Sequence, residues 1–227
     1  MFNKIKIIQI RNFPLSIIFL FFFVTAKAQY AADNKISGPQ RIFIQKMADI
    51  HPSSMAGGVL QYGKTFLGQA YPRPKRAAVK QSNGTRQYLS TSNEELEVNL
   101  TQFNCVTFVE NMIALTQTRL SGVPNFEYFK QNLANIRYRN GDINYASRLH
   151  YFSDWFYENE KRGILKNITQ EIGGQPFNKN VSYLSSSKNV LTKNKSNYAT
   201  FASMKKVERA ISSRPKYYIP KRQYRRH

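Results

Sequence analysis

Apolar positions in this chain fall first into one unbroken run and then into stretches that repeat at helical spacing. The run is residues 14–24, PLSIIFLFFFV, behind Lys4, Lys6 and Arg11. It is shorter than the roughly 18 apolar residues that argue for a membrane span, and Ala26-Lys27-Ala28 has the small-x-small pattern of a cleavage site. A secretory signal peptide over 1–28 is expected. The mature chain would then be exported, periplasmic or extracellular, with no integral membrane span after cleavage. No cysteine stands just after the run, which argues against a bacterial lipoprotein anchor.

Beyond it, 29–40 is polar and 41–51 places apolar residues at 42, 44, 47 and 50, nearer to helical than to strand spacing, with Pro52 to stop it. Ser53 and Ser54 can cap a further start, after which 55–72 reads as a glycine-punctuated loop. Residues 73–90 are basic and hold the turn pair Asn83-Gly84. NEELEVNL (93–100) alternates as a short strand or extended arm. From Asn104, a good N-cap, Val106, Val109 and Ile113 alternate with Phe108, Met112 and Leu115 at three- and four-residue steps, predicting a mostly buried helix that Ser121-Gly122-Val123-Pro124 ends.

A second amphipathic helix is predicted over 125–138, with Phe126, Phe129, Leu133 and Ile136 on one face, and Asn140-Gly141 turns the chain. Residues 147–165 are aromatic-rich and compatible with a helix throughout. From 175 to 206 the composition shifts to Ser, Asn and Lys, with VSYLSS (181–186) as a possible strand and MKKVERAISS (204–213) as a short helix. Residues 214–226 carry six basic side chains and no acidic one.

Charge narrows the class of partner. The chain holds 34 Lys and Arg against 13 Asp and Glu. Removing the four basic residues of the signal leaves a net charge near +17 on 199 residues, enough for one domain or one domain with a tail. Such a charge suits an anionic partner, either cell-wall polymer, lipid headgroups or nucleic acid. No nucleic-acid motif is present, and export argues against that partner. The single cysteine, Cys105, cannot form an internal disulfide.

Cys105 follows the predicted cap, where unpaired N–H groups and the positive end of the helix dipole favour thiolate over thiol. Position alone leaves two readings open, a small buried hydrophobe or a nucleophile. A nucleophile needs a base, and the histidines are His51, His150 and His227. His51 precedes a proline in an expected loop, and His227 ends a basic tail. His150 lies among Arg148, Tyr151, Asp154 and Trp155, either as a hydrogen-bonded histidine at an aromatic cluster or as a base. Glu110 faces either a pocket or solvent. No metal-ligand spacing, Walker motif or other phosphate loop is present, and no cofactor is implied.

Three segments, GKTFLGQAY (63–71), EELEVNLTQFNCVTFVENMIAL (94–115) and RYRNGDINYASRLHYFSDWFYENEKRGILKNITQEIGG (137–174), resemble the exported bacterial N-acetylmuramoyl-L-alanine amidase-like family. This family, once a domain of unknown function, is placed with the NlpC-type, papain-like cysteine hydrolases. The resemblance covers most of 55–220. It implies an α+β papain-like fold and a peptidoglycan (muropeptide) amidase that cleaves an amide, such as N-acetylmuramoyl-L-alanine, through Cys105 and an acyl-enzyme. The segment holding Arg148, His150 and Trp155 resembles the family's signature on the wall of the cleft, with Asn104, Arg148, Tyr151 and Trp155 as the candidate substrate-binding residues, and a variant of this reading gives His150 the role of base. Asp is usual in the family where this chain has Asn104.

The resemblance implies, too, a strand block bearing an HVGI-like histidine after YYIPK (217–221), and no such segment occurs in this sequence. The expectation is a helical half with an incomplete sheet, a truncated or frameshifted product, and an inactive or impaired enzyme. The domain expectation is a signal peptide (1–28), an N-terminal segment (29–54), an amidase-like domain (55–220) and a basic tail (221–227). A non-enzymatic basic protein that binds the wall or envelope is the alternative.

Overall fold

In the computed structural model, the residues described are 36–72, 79–82, 85–88, 94–186, 196–221 and 223. The expected signal peptide, the end of the basic tail and His227 lie outside the described residues. Helix α1 (Gly38–Asp49) starts where the Ser37 hydroxyl accepts the Gln40 N–H, and it buries Phe43 and Met47 one turn apart. It ends ahead of Pro52, as its spacing predicts. Helix α2 (Met55–Thr65) has the same kind of start, with Ser54 accepting from the Gly57 N–H. The expected glycine-punctuated loop is therefore helical over its first 11 residues, Gly57, Gly58 and Gly63 included, because capping and packing outweigh the low helix propensity of glycine.

Gly58 is there for contact. A Cβ on it would stand 2.3 Å from Thr116 Cγ2, so its absence lets α2 lie directly against the central helix, α3 (Cys105–Leu120). Asn104 caps α3, and Ser121 and Gly122 end it. Met112 and Leu115 are wholly buried and Ile113 is buried, but Val109 is 42% exposed, so burial encloses the middle of the helix from Glu110 to Thr116 and spares its first turn. Thr116 and Thr118 reconcile their hydroxyls with burial by donating to the Met112 and Ala114 carbonyls one turn back.

Helix α4 (Phe126–Arg137) packs on the other side of α3 and buries Phe129, Leu133 and Ile136, the predicted face. Phe43 of α1 meets Phe129 with ring centroids 5.3 Å apart, while Phe66 and Phe103 meet edge to face at 5.2 Å. Each such buried side chain contributes about 1.5–3 kcal/mol relative to exposure. Asn140 turns the chain with φ of +56°, a left-handed conformation that Asn tolerates, followed by Gly141 at +74°.

The aromatic segment is helical only over α5 (Phe152–Lys161). Residues 147–150 instead run back along the end of α4, where Leu149 N–H donates to the Arg137 carbonyl and Tyr138 bridges Arg148. Tertiary pairing thus overrides helical propensity there. VSYLSS is not a strand: Tyr183–Ser186 form a single helical turn, α6, whose Leu184 and Ser185 N–H groups are capped by Glu208. The predicted short helix extends to α7 (Ser196–Ser213).

Strands are few. β1 (Val79–Ser82) and β2 (Thr85–Tyr88) form an antiparallel hairpin, and β3 (Gln175–Pro176) pairs antiparallel with β4 (Tyr217–Tyr218). NEELEVNL takes the extended-arm alternative over residues 94–99 and belongs to neither sheet. The described chain is mostly helical with two small two-stranded sheets. Arg214, just after α7, donates to Asp154 of α5 over 2.7 Å and so fastens the C-terminal elements to the helical core. No helix among the described residues is long and apolar enough to cross a membrane.

Candidate functional site

Asn104 holds the first turn of α3 through a capping box. Its side-chain oxygen accepts from the N–H groups of Val106 (3.0 Å) and Thr107 (2.9 Å), and Thr107 Oγ1 accepts from the Asn104 N–H at 3.0 Å. Cys105 is the next residue, at the first position of the helix, and its thiol is free and exposed. Of the two readings its sequence position permits, the buried hydrophobe is the one this placement contradicts.

Beside this turn opens a cleft of about 490 Å³. Asn104, Thr107 and Asn111 form one wall, at i, i+3 and i+7 along α3, and Arg137, Arg148 and Tyr71 are among the residues opposite. The polar stripe on an otherwise apolar helix is visible in the sequence, although only Asn104 is singled out by reading it. Asn111 is 1% exposed, its Nδ2 donates to the Thr107 carbonyl at 2.7 Å, and its Oδ1 has no partner among the described residues.

The cationic side chains of the cleft are tethered from behind. Arg137 Nε donates to Glu110 Oε2 at 2.8 Å and its NH1 to the Glu97 carbonyl at 2.7 Å. Glu110 therefore faces neither pocket nor solvent but a buried guanidinium. Arg148 donates to Glu94 Oε1 at 2.8 Å, and the Tyr138 hydroxyl donates to the same oxygen at 3.0 Å. Burial, joined by the Glu94 hydrogen bond and charge, pushes the Tyr138 phenol up to about 12.

His150 lies two residues beyond Arg148 but is not among the residues that line the cleft. Its Nε2 contacts the Tyr145 carbonyl at 2.8 Å, and its ring leans on that of Tyr145 with centroids 4.6 Å apart. A carbonyl can only accept, so Nε2 carries a proton and Nδ1 is the nitrogen able to take one. Burial lowers the His150 pKa from its ordinary value, against the opposing pull of that carbonyl. His51 contacts Arg119, near the far end of α3. Fourteen residues at 1.5 Å rise separate Arg119 from Cys105, about 21 Å, which removes His51 as a partner of the thiol.

Of the wall expected from the aromatic segment, the structure brings only Arg148 to the cleft with Asn104. Trp155 is 6% exposed within the core cluster. The Tyr151 hydroxyl donates to Glu208 at 2.5 Å on a different cavity. Trp155 is buried on α5 and Tyr151 is the half-buried residue just before it, and the direction each side chain takes depends on partners distant in sequence. Among the described residues, no three His, Cys, Asp or Glu side chains come together as a metal site.

The sequence profile of the N-acetylmuramoyl-L-alanine amidase-like (AmiA-like) family matches residues 61–227. No curated protein matches the chain. Crystal structures of an N-acetylmuramoyl-L-alanine amidase from Bacteroides uniformis are similar to it. One is 30% identical with a TM-score of 0.57, and another is 28% identical with a TM-score of 0.58; each match covers 74% of this chain and 66% of that one. A candidate xylanase from Bacteroides fragilis is 28% identical with a TM-score of 0.55, over 72% of this chain and 66% of that one. The chain thus spans 66% of the length of these structures, a little under two thirds.

Proposed function

The chain belongs to the N-acetylmuramoyl-L-alanine amidase-like family, and from that premise we propose that it is a peptidoglycan amidase-like hydrolase, of the NlpC-type papain-like lineage, whose nucleophile is Cys105. The observation that carries this reading is the exposed thiol at the first position of α3, next in sequence to Asn104, which lines a polar cleft large enough for a small peptide although Cys105 itself is not among the lining residues. The thiolate would attack the amide carbonyl carbon, and the C–N bond would break as the amine leaves with a proton. Water would then cleave the thioester, releasing the acid and restoring the thiol. Asn104 and Arg148 would contact the substrate in the cleft.

A base must take the thiol proton and return it to the amine. His150 offers a neutral imidazole through Nδ1, and its role here rests on that tautomer and on its neighbourhood with Arg148. His150 is not among the residues that line the cleft, so we propose that its assistance is weak and turnover by this chain impaired, the loss of base catalysis being worth about 10² to 10⁴ in rate. Muropeptide fragments in the cell wall of an exported protein's surroundings would be the substrate.

The test is to incubate the chain with N-acetylmuramoyl-L-alanyl peptides and follow the released sugar acid and peptide by mass spectrometry, beside Cys105→Ala. Slow release that disappears in Cys105→Ala is the expected result. Release that survives the substitution removes Cys105 from the reaction. The formal net charge of +21 favours a second reading, binding to anionic wall polymer without hydrolysis. That binding would weaken steeply with salt and be indifferent to Cys105→Ala.

A further inference from the structure

A second cavity, of about 510 Å³, lies between α7 and residues 180–185, and the family reading does not use it. Lys205, Glu208, Arg209 and Ser212 line it from α7, at i, i+3, i+4 and i+7, so one helix face supplies a carboxylate flanked by two cations. Ser182 and Ser185 contribute from the facing segment. Glu208 is 2% exposed.

The hydrogen bonds to Glu208 are unevenly shared. Its Oε1 accepts from the Tyr151 hydroxyl at 2.5 Å, the Leu184 N–H at 2.9 Å and the Ser185 N–H at 3.1 Å. Its Oε2 is buried and forms no hydrogen bond of normal geometry among the described residues, with the Ser185 hydroxyl as the nearby polar group that helps hold the carboxylate's pKa down. Capping α6 explains Oε1 and leaves Oε2 unexplained. A buried carboxylate oxygen without a donor costs free energy that a bound cationic or N–H group would recover. Asp154, the other buried carboxylate of this half, shows the satisfied case, with Arg139 on one oxygen and Arg214 on the other. At the second cavity the available cations are placed differently. Lys205 and Arg209 are exposed at its rim, and Lys205 Nζ lies 4.9 Å from the Phe201 ring.

We propose that this cavity binds a small zwitterion, a free amino acid or short peptide, with its ammonium on Glu208 Oε2 and its carboxylate between Lys205 and Arg209. Ser212 and Ser185 are engaged with the Glu208 and Ser182 carbonyls, which leaves the Ser182 hydroxyl to serve such a ligand. The volume is within the range of small-molecule sites.

Titration calorimetry of the chain with L-alanine tests this, against N-acetyl-L-alanine and L-alaninamide, each lacking one charge. L-alanine should bind about tenfold or more tighter than either analogue, the effect of one charged hydrogen bond. L-alanyl-L-alanine separates the two sources: tighter binding than L-alanine identifies a peptide end, weaker binding a free amino acid. Glu208→Gln replaces the open acceptor with an N–H donor and should abolish the preference for a free ammonium. Because that change also touches the α6 cap, Lys205→Ser with Arg209→Ser, both exposed, is the companion variant and should lower L-alanine affinity about tenfold with the helix content intact. Equal binding of L-alanine and its N-acetyl form, unchanged affinity in the double variant, or no saturable binding below about 10 mM would each overturn the proposal.

Discussion

Arg137 and Glu110 meet 2.8 Å apart between α4 and α3, with side chains only 5% and 4% exposed. The pair is the ionic centre of the helical core, and its second guanidinium nitrogen reaches the Glu97 carbonyl of the extended arm. One guanidinium therefore ties three segments together through two contacts. Breaking a buried pair by removing one partner strands a charge, which costs about 3–5 kcal/mol, whereas replacing both by apolar residues is often neutral.

Glu110→Ala should accordingly lose about 3–5 kcal/mol in urea unfolding, and Glu110→Leu with Arg137→Met should recover most of it. A loss below about 1 kcal/mol in the single variant would show that water reaches the guanidinium.

Gly58→Ala would place a methyl 2.3 Å from Thr116 Cγ2. Helix propensity alone favours Ala by about 1 kcal/mol. Overpacking at a fixed helix contact instead costs about 1–3 kcal/mol. Net destabilisation, relieved by adding Thr116→Ala, is the expected outcome of thermal unfolding. A more stable Gly58→Ala would mean that α2 can move away from α3.

Asn104→Ala removes the acceptor of two N–H groups at the start of α3. The expected loss is about 1 kcal/mol by chemical denaturation. Asn104→Asp keeps the cap geometry and adds a negative charge at the helix N-terminus, worth about 0.3–1 kcal/mol in its favour at low salt. The two variants should thus move stability in opposite directions, and a common loss would refute the capping argument.

The depressed pKa of His150 has a defined consequence for stability. In the unfolded chain the ring titrates near its ordinary value of about 6.5 and in the folded chain below it, so between those values the unfolded state binds more protons. The wild type should lose stability relative to His150→Asn as pH falls below about 6.5, and the difference should level off once pH is below the folded pKa. A ring C2-proton NMR titration with a midpoint at or above about 6.5 would contradict the burial that causes the shift.

The local rules account for much of the helical frame. Ser37, Ser54, Asn104 and Asn125 are all caps that accept N–H groups of the first turn, and the apolar faces of α1, α3 and α4 enter the core. Asn140-Gly141 turns where two residues tolerant of positive φ stand together. These features depend on neighbours within a few residues, and a sequence displays such neighbours directly.

The sequence by itself determined where the central helices begin, which of their faces are apolar, that Cys105 follows an N-cap, and the family to which the chain belongs. Only the tertiary structure decided where polar and aromatic groups find partners. Glu110 is paired with Arg137 from 27 residues away, and Tyr151 with Glu208 from 57. Trp155 turns into the core, while Arg148 reaches the cleft. A cap or an apolar stripe is a short-range property of backbone geometry. The direction of a titratable or aromatic side chain is set by desolvation and by donors brought near through folding, and those lie far away along the chain.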